Sequence, residues 1–403
     1  MDFRIHNSQT RIIVILTFLF IFLSASYAIT NDLFSSRTTI ILWVLILLAA
    51  LIKVKQIKRN VLYVMVALLA CIWITNIVLG ENFVVTLKTS FSFITAFLFV
   101  QAFGFSEFKR AYIKVMTFIC AYSIICYIAF LIFPGLAKIN LVANSPSHIS
   151  NWILYVHYGG MSIPRNRSLF WEPGAFQTFI TIAMLLELSE KQYDVKRIIL
   201  FSLCIISTFS TIGYIALIMF FLALFSNRKT QSKKRRFIIT VFAAALLLLA
   251  FANSDKLMGS SSVFGKISTF FNLNESSGIR VSSASVRYFA LIKPISAFFD
   301  SPFIGNGYQG LISKTFQYTL GMNTCTFVNW FAVYGLVFGI LMTIGYVRFS
   351  SLLFKDKDIS TKIIIMAILF LVISTENYVN NAFLMALILY GFDNNRKREL
   401  DID

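Results

Sequence analysis

The stretch 165–176 concentrates residue types that could do chemistry at the entrance of an apolar segment. Arg165 and Arg167 flank one asparagine, and Trp171 and Glu172 follow just before a Pro-Gly step. Charged groups are costly beside a bilayer, so a functional role is the default expectation. The planar fork of arginine matches phosphate oxygens, which predicts a cationic patch for a lipid-linked anion such as a pyrophosphate. Pairing of the two arginines with lipid headgroups alone is the alternative.

Glu172 stands where a helix is predicted to begin. Pro173 suits the first turn of a helix, and the residue before a proline is pushed out of α geometry. The helix dipole then favours the charged form of the carboxylate. Two roles stay open for Glu172. It could be a helix cap paired with Arg165 or Arg167, or it could accept a proton from a sugar hydroxyl.

A second group of basic residues lies further along the chain, in a Ser- and Gly-rich stretch. Arg280 and Arg287 are seven positions apart, so they share one face if the segment is helical. The later run Gly305–Tyr308 predicts a tight turn. It does not follow a strand of a βαβ unit, so it is not a dinucleotide site. Tyr308 and Trp171 could stack on sugar rings, with an anchoring role at the membrane boundary as the alternative.

Glu376 lies in the last polar turn, between two short apolar helices. A carboxylate near the membrane boundary is a functional candidate, so Glu376 is a second candidate for the proton acceptor. A helix cap, or an ion pair with a loop arginine, is an equally good interpretation.

Composition indicates that a helical membrane protein positions these residues. The chain has 403 residues, of which 58% are hydrophobic and 13% charged, whereas roughly a quarter of a soluble domain is charged. Its apolar runs are continuous, which favours helices over a β-barrel.

The formal charge of +18 is explained by basic loops on one side of a membrane, so nucleic acid is not expected as a partner. The five cysteines and three histidines have no ligand-like spacing, so neither a metal nor another cofactor is expected.

The apolar runs predict about twelve membrane crossings in a single all-α polytopic domain that covers residues 1–403. We expect the first helix to be retained, although it resembles a signal peptide, because apolar segments follow directly. The run 198–226 predicts two short helices that meet at a polar break. The predicted helices are 12–29, 38–52, 61–79, 88–104, 115–133, 171–188, 198–209, 212–226, 237–252, 324–349, 362–375 and 378–392.

Basic residues are distributed over this map as the positive-inside rule requires. Most of the 36 Lys and Arg residues fall in loops on the side of the N-terminus, which predicts that both termini are cytoplasmic. Two long connections, 134–170 and 253–323, face the other side. Connections of this length are usually functional, and these two hold the arginines described above.

Three features together resemble the bacterial O-antigen polymerases (Wzy type) of the O-antigen ligase and polymerase superfamily. They are the stretch Arg165–Gly174 entering a helix, the short helix pair centred on Ser207–Thr211, and the outer loop with Arg287 and Pro302–Gly307 before the helix that contains Gly335–Gly339. The resemblance covers residues 160–345, and the number of helices extends it over the whole chain.

This resemblance implies a glycosyltransferase of GT-C-like fold in the bacterial inner membrane, acting on its periplasmic face. Such an enzyme moves a growing glycan from undecaprenyl pyrophosphate to the non-reducing end of an incoming lipid-linked repeat unit. The implied partners are the lipid-linked oligosaccharide, membrane lipid and a protein that regulates chain length. The predicted catalytic residues are Glu172, Arg287 and Glu376, and the predicted binding residues are Arg165, Arg167, Arg280, Arg287, Trp171, Tyr308 and Asn323.

Other functions stay open at this point. An O-antigen ligase, which transfers glycan to the lipid A core, often has a His-Asn pair before the Gly-rich helix. Here the corresponding stretch is Asn323–Thr326, without histidine, which disfavours the ligase and leaves the general base open. A flippase for lipid-linked oligosaccharide should place its charges at the midplane, whereas these lie at one boundary. Composition also allows a glycan-binding protein without chemistry.

Overall fold

The computed structural model describes residues 2–30, 36–54, 56–140, 149–158, 164–190, 192–226, 283–321, 323–354 and 357–393. Over these ranges the chain is mostly helical, which confirms the all-α class. Four helices are long and apolar enough to cross a membrane, and shorter apolar helices accompany them. The predicted helix 237–252, Arg280 and residues 253–282 of the second long connection lie outside the described residues. The four long apolar helices are Arg59–Leu79, Phe83–Ala102, Phe105–Ile132 and Thr326–Ser351.

The helices follow the apolar runs of the sequence. Two further helices, Ser283–Asp300 and Tyr308–Thr319, lie within the second long connection, which the hydropathy pattern predicts only as a loop. The helices are α1 (Asp2–Ala25), α2 (Tyr27–Thr30), α3 (Ser36–Lys53), α4 (Arg59–Leu79), α5 (Phe83–Ala102), α6 (Phe105–Ile132), α7 (Pro173–Leu188), α8 (Val195–Ser207), α9 (Thr211–Ser226), α10 (Ser283–Asp300), α11 (Tyr308–Thr319), α12 (Thr326–Leu353), α13 (Ile359–Ile373) and α14 (Ala382–Tyr390).

α5 and α6 are two of the helices that begin earlier than the hydropathy pattern predicts. α5 starts at Phe83 because the side chain of Asn82 caps it, accepting a hydrogen bond from Val84 N at 2.9 Å. α6 starts at Phe105, so the basic residues before the predicted start at 115 are helical as well. Lysine and arginine lower hydropathy but are good helix formers. Hydropathy therefore marks the apolar part of a helix and not its ends.

The run 198–226 forms two short helices, as predicted. α8 and α9 are separated by Thr208, Phe209 and Ser210, and Phe209 has a left-handed backbone with a φ of 48°. The hydroxyl of Thr208 donates to Ile205 O at 2.6 Å. Non-helical backbone at membrane depth needs partners of this kind.

α7 is the central helix, and all of its residues from Pro173 to Leu188 are buried. It packs against α6, α8, α9 and α13, so protein surrounds it. The residues of α14 are equally buried, and Phe383 on this helix stacks on Phe179 at 4.7 Å and on Tyr112 at 4.9 Å. By contrast, α3 and α4 expose many large apolar side chains, as lipid-facing helices do.

Ion pairs join the connections at one end of the bundle, which we call the basic end. Lys58, before α4, pairs with Asp393, after α14, at 2.7 Å. Lys109 of α6 pairs with Glu190, after α7, at 2.9 Å. These connections are among those that the positive-inside rule assigns to the side of the N-terminus. The structure therefore groups them as predicted.

The connections α4–α5, α6–α7, α8–α9 and α13–α14 meet at the opposite end, which we call the site end. Tyr27 N, after α1, donates to Leu169 O at 2.7 Å, and Asn381, before α14, donates to Ser24 O at 2.9 Å. The α6–α7 connection contains an antiparallel pair of strands, β1 (Ile149–Asn151) and β2 (Val156–Tyr158). Val156 N also donates to Ser168 O at 2.7 Å, which attaches the arginine stretch to this strand pair.

α12 is broken at Gly335, whose φ of 80° and ψ of −175° leave helical geometry. The connection between α10 and α11 pairs with the broken turn. Asn306 N donates to Ala332 O at 2.9 Å, and Leu336 N donates to Pro302 O at 2.7 Å. Backbone groups released by the break are thus satisfied by another segment, as a position at membrane depth requires.

Candidate functional site

The arginine stretch is anchored by Asn166, which lies buried between α6 and the break after α8. Its Oδ1 accepts hydrogen bonds from Ser123 Oγ at 2.7 Å and from Ser168 N at 3.0 Å. Its Nδ2 donates to Ser207 Oγ and its backbone N donates to Ser207 O, both at 2.9 Å. Because both groups of the side-chain amide are satisfied, Asn166 holds its two flanking arginines in defined positions.

The flanking arginines differ in how much of each guanidinium group is available. Arg167 is only 6% exposed, stacks on the ring of Tyr158 at 3.8 Å and donates from Nη1 to Trp171 O at 2.8 Å. Arg165 is half-buried and donates from Nε to Thr208 O at 3.0 Å. Burial lowers the pKa of both groups, although an arginine keeps its charge at neutral pH. Arg165 is therefore the better placed of the two to bind an anion.

Glu172 occupies the N-cap position of α7, so the predicted helix start is confirmed. Its carbonyl accepts from Phe176 N at 3.1 Å, and Pro173 takes the first helical position. Its side chain makes no capping hydrogen bond within the described part of the chain. The carboxylate is exposed and interacts with the carboxyl group of Glu376.

Glu376 lies in the connection between α13 and α14 and is 6% exposed. Its Oε1 has no hydrogen-bond partner among the described residues. The carboxyl group reaches the first turn of α7 because residue 174 is a glycine, and a Cβ there would collide with Oε1. The pKa of Glu376 is raised to about 8, first by burial and then by the charge of Glu172. The charge of Arg287 and the side chain of Trp171 act in the opposite direction.

Arg287 brings the second long connection to this site. It lies in α10, which packs against α11 and α12, and its side chain is half-buried. The positive charge of Arg287 lowers the pKa of Arg165 and favours the charged form of Glu376. The structure therefore brings Arg165, Arg287, Glu172 and Glu376 close enough for their charges to act on one another.

The three remaining predicted binding residues surround this group in different ways. Trp171 is half-buried and packs edge-on against Tyr378 at 5.7 Å. Tyr308 begins α11 and hydrogen-bonds with the side chain of Asn377, in the same connection as Glu376. Asn323 is 2% exposed, and its Oδ1 accepts from a threonine hydroxyl of α11 at 3.0 Å. Neither aromatic ring is freely exposed as a platform.

Glu81 is a carboxylate at the site end that the sequence did not single out. It lies between α4 and α5 and accepts hydrogen bonds from the backbone N of Gln309, at 3.1 and 3.2 Å, and of Gly310, at 3.0 Å. Because this carboxylate occupies the N-terminus of α11, the turn Gly305–Tyr308 offers no free anion site there. The available signal was a lone carboxylate in a short polar connection at the site end.

The charges at the site end can bind an anion and transfer a proton. Arg165 and Arg287 lie near two carboxyl groups. Glu172 is exposed and Glu376 is buried, and these different surroundings suit the two groups to different roles in proton transfer. Within the described ranges, no group of three His, Cys, Asp or Glu side chains could hold a metal ion.

Comparison with known proteins adds no family to these observations. No protein-family model matches the chain. No curated protein sequence matches it either.

Proposed function

We propose that the chain is a glycosyltransferase of the O-antigen polymerase type, which joins lipid-linked oligosaccharide repeat units. In this proposal it crosses the bacterial inner membrane about twelve times in a GT-C-like arrangement, with both termini in the cytoplasm. The site end then faces the periplasm. The substrate is an undecaprenyl-pyrophosphate-linked glycan, and a separate protein regulates the chain length.

One observation carries the proposal. Arg165 and Arg287 come from two different long connections, yet the charge of one acts on the other. Like charges repel, and although the Glu172 carboxylate offsets part of this repulsion, an anion bound between the two guanidinium groups would offset more of it. A pyrophosphate is an anion of this kind, and a lipid carrier would place it at a membrane boundary.

Two arginines at this position support a leaving-group role. Negative charge develops on the pyrophosphate as its bond to the anomeric carbon breaks. Preorganised donors aimed at that charge stabilise the transition state, and one such donor contributes about 3 kcal/mol in other enzymes. We assign this role to Arg165 and Arg287, with Arg167 as a buried support beside them.

The buried carboxyl group supports a role in activating the acceptor. The acceptor hydroxyl oxygen forms the new bond to the anomeric carbon, and its proton passes to a carboxylate. Glu376 is our choice for that base, with Glu172 as the exposed neighbour that returns the proton to solvent. A base whose pKa lies near the working pH is effective, because part of it is unprotonated and that part accepts a proton readily.

Deletion of the gene, followed by gel analysis of surface glycan, tests the proposed function. A polymerase predicts that chains stop at one repeat unit on the lipid A core. Loss of every glycan from the core would instead identify a ligase. Accumulation of repeat units on the cytoplasmic side would identify a flippase.

Arginine variants test the assigned roles. Arg165→Ala and Arg287→Ala are expected to lower the rate of chain elongation about a hundredfold while the protein remains in the membrane. Lys138→Ala, at an exposed position of the same connection, is the matched control and should elongate normally. Normal chain length in both arginine variants would contradict the pyrophosphate role.

A further inference from the structure

A group of buried polar side chains beside Glu376 is not explained by pyrophosphate binding. Asn323, Asn329 and Trp330 lie around the start of α12 and are 2%, 1% and 0% exposed. Asn329 Nδ2 donates to Asn323 O at 2.7 Å, so the two asparagines form one unit. The hydroxyl of Thr326 donates to Glu376 O at 2.7 Å, which joins this unit to the connection that carries the carboxyl group.

Each of these side chains has a polar atom without a partner among the described residues. The donors are Asn323 Nδ2 and Trp330 Nε1, and the acceptors are Asn329 Oδ1 and Glu376 Oε1. An unsatisfied buried polar atom costs about 1–3 kcal/mol. Several such atoms in one short segment indicate a group that is supplied from outside the chain.

The chemistry of the four atoms identifies the kind of group that would satisfy them. A hydroxyl both donates and accepts, so it can serve Asn329 Oδ1 or Glu376 Oε1 and also Asn323 Nδ2 or Trp330 Nε1. A phosphate only accepts, so it could serve the two donors but not Asn329 Oδ1. The cluster therefore suits neutral hydroxyl groups, while the anion belongs with Arg165 and Arg287.

We propose that Asn323, Asn329 and Trp330, together with Glu376, form a subsite for hydroxyl groups of the acceptor sugar. This inference rests on the proposed function and adds to it the residues that bind the acceptor. It also explains why a carboxyl group is buried here, because an acceptor hydroxyl bound by these residues lies next to its base. Water offers the same hydrogen-bonding chemistry as a sugar hydroxyl, so the test must separate the two.

The test measures elongation by the full-length protein in membrane vesicles. Preformed lipid-linked polymer as the donor and the single lipid-linked repeat unit as the acceptor are varied in turn, each against a fixed concentration of the other, which gives a KM for each. Both variants keep much of the side-chain volume: Trp330→Phe removes one unpartnered donor, and Asn329→Leu removes one unpartnered acceptor together with the Nδ2 donor that bonds to Asn323 O. We expect the KM for the acceptor to rise about tenfold in each, with the KM for the polymer donor unchanged.

Asn76→Leu is the matched control. Asn76 is also a buried asparagine at the site end, but its Nδ2 donates to Glu81 O at 2.9 Å and to Thr86 Oγ1 at 2.6 Å. Its replacement should lower thermal stability and leave both KM values unchanged. Thermal unfolding of all variants in the same vesicles separates loss of binding from loss of folding.

The remaining outcomes overturn the inference in distinguishable ways. If the wild-type protein elongates glycan and both variants keep the wild-type acceptor KM, the cluster holds water only and the subsite is wrong. If the KM for the donor rises as much as the KM for the acceptor, these residues do not bind the acceptor specifically and the subsite is wrong. If the folded wild-type protein does not elongate lipid-linked units at all, the proposed function fails, and the subsite fails with it.

Discussion

The contact between residue 174 and Glu376 shows how one missing side chain can shape the site. A carboxyl group approaches the first turn of α7, where the backbone N–H groups of a helix are free. Only glycine leaves room for it, since a Cβ at this position would collide with Glu376 Oε1. The atom that collides is the end of a flexible side chain, so it can move without unfolding the helix.

Gly174→Ala is therefore expected to impair activity more than stability. The added methyl group displaces the Glu376 carboxyl group, and a misplaced base should slow glycan elongation at least tenfold. Thermal stability should change little. Gly135→Ala is the control, because a Cβ at 135 meets no atom of the described chain within 4 Å. Equal elongation by both variants would show that the position of Glu376 is unimportant.

The ionisation of Glu376 predicts how stability depends on pH. Its pKa is raised from 4.5 to about 8 in the folded protein. Between these values the unfolded chain has lost the proton and the folded chain keeps it, so stability falls as pH rises from 4.5 towards 8. The slope from this group is up to about 1.4 kcal/mol per pH unit.

Thermal unfolding at several pH values checks this dependence. We expect Glu376→Gln to remove part of the decline between pH 5 and pH 8, since glutamine does not titrate. Glu172→Gln should shift the decline to lower pH, because it removes the negative charge that raises the pKa of Glu376. The same slope in all three proteins would rule out a buried titrating group at 376.

Residue types predicted the charged members of the site, but not what holds them. Arg165, Glu172 and Glu376 are conspicuous because charge is rare in an apolar chain. Asn166 is inconspicuous in the sequence, and its partner Ser207 is 41 positions away. A single sequence does not report a contact of that separation, so the anchoring residue could not be identified.

At the scale of elements, the break in α12 depends on two glycines that face each other. Gly305 and Gly335 have φ values of 82° and 80°. A Cβ at 305 would collide with Val333 O, and a Cβ at 335 would collide with Phe303 O. Both obstacles are backbone atoms, which cannot move aside as a side chain can. The close approach of the two segments therefore requires glycine at both positions.

Gly335→Ala is expected to destabilise the protein for two reasons. Alanine is strained at a positive φ, and its Cβ would also collide with backbone atoms. Gly80→Ala is the matched control, since Gly80 also has a positive φ, of 63°, but a Cβ there meets no described atom within 4 Å. Gly80→Ala should lower the free energy of unfolding by about 1 kcal/mol. Gly335→Ala should lower the free energy of unfolding several times as much, and this variant should melt several degrees below Gly80→Ala. Equal melting temperatures would contradict the close packing at the break.

Elements were predictable to different degrees, for physical reasons. The α8–α9 break was visible because Ser207 and its polar neighbours interrupt an apolar run. α10 and α11 were not visible, because charged residues and Pro294 interrupt the apolar residues of α10, and polar residues dominate α11. Their helical form depends on packing against one another and against α12, which hydropathy does not report.

At the scale of the whole molecule, charge separates the two ends of the bundle. At the basic end, lysines and arginines pair with carboxylates from other connections, as Lys58 does with Asp393. At the site end, the positive charges of Arg165 and Arg287 act on each other, with the carboxylate of Glu172 nearby. The alternation of loops along the sequence predicted this grouping, because each crossing reverses the side on which the next loop lies.

Introduced cysteines test on which side of the membrane each end lies. Lys138→Cys, at the site end, should react with a membrane-impermeant maleimide in cells with a permeable outer membrane. Lys196→Cys, at the basic end, should react only after the inner membrane is disrupted. Both positions are exposed, and the natural cysteines are buried or half-buried. Reversed labelling would place the site in the cytoplasm and contradict the proposed function.

The complete burial of α7 has a consequence for how this protein can change over evolutionary time. Lipid-facing positions on α3 and α4 need only remain apolar, so substitutions there are nearly interchangeable. Each residue of Pro173–Leu188 contacts protein, and a change of volume must be matched by a neighbour. We therefore expect the sequences of diverged descendants to change fastest at the periphery and slowest along buried helices such as α7.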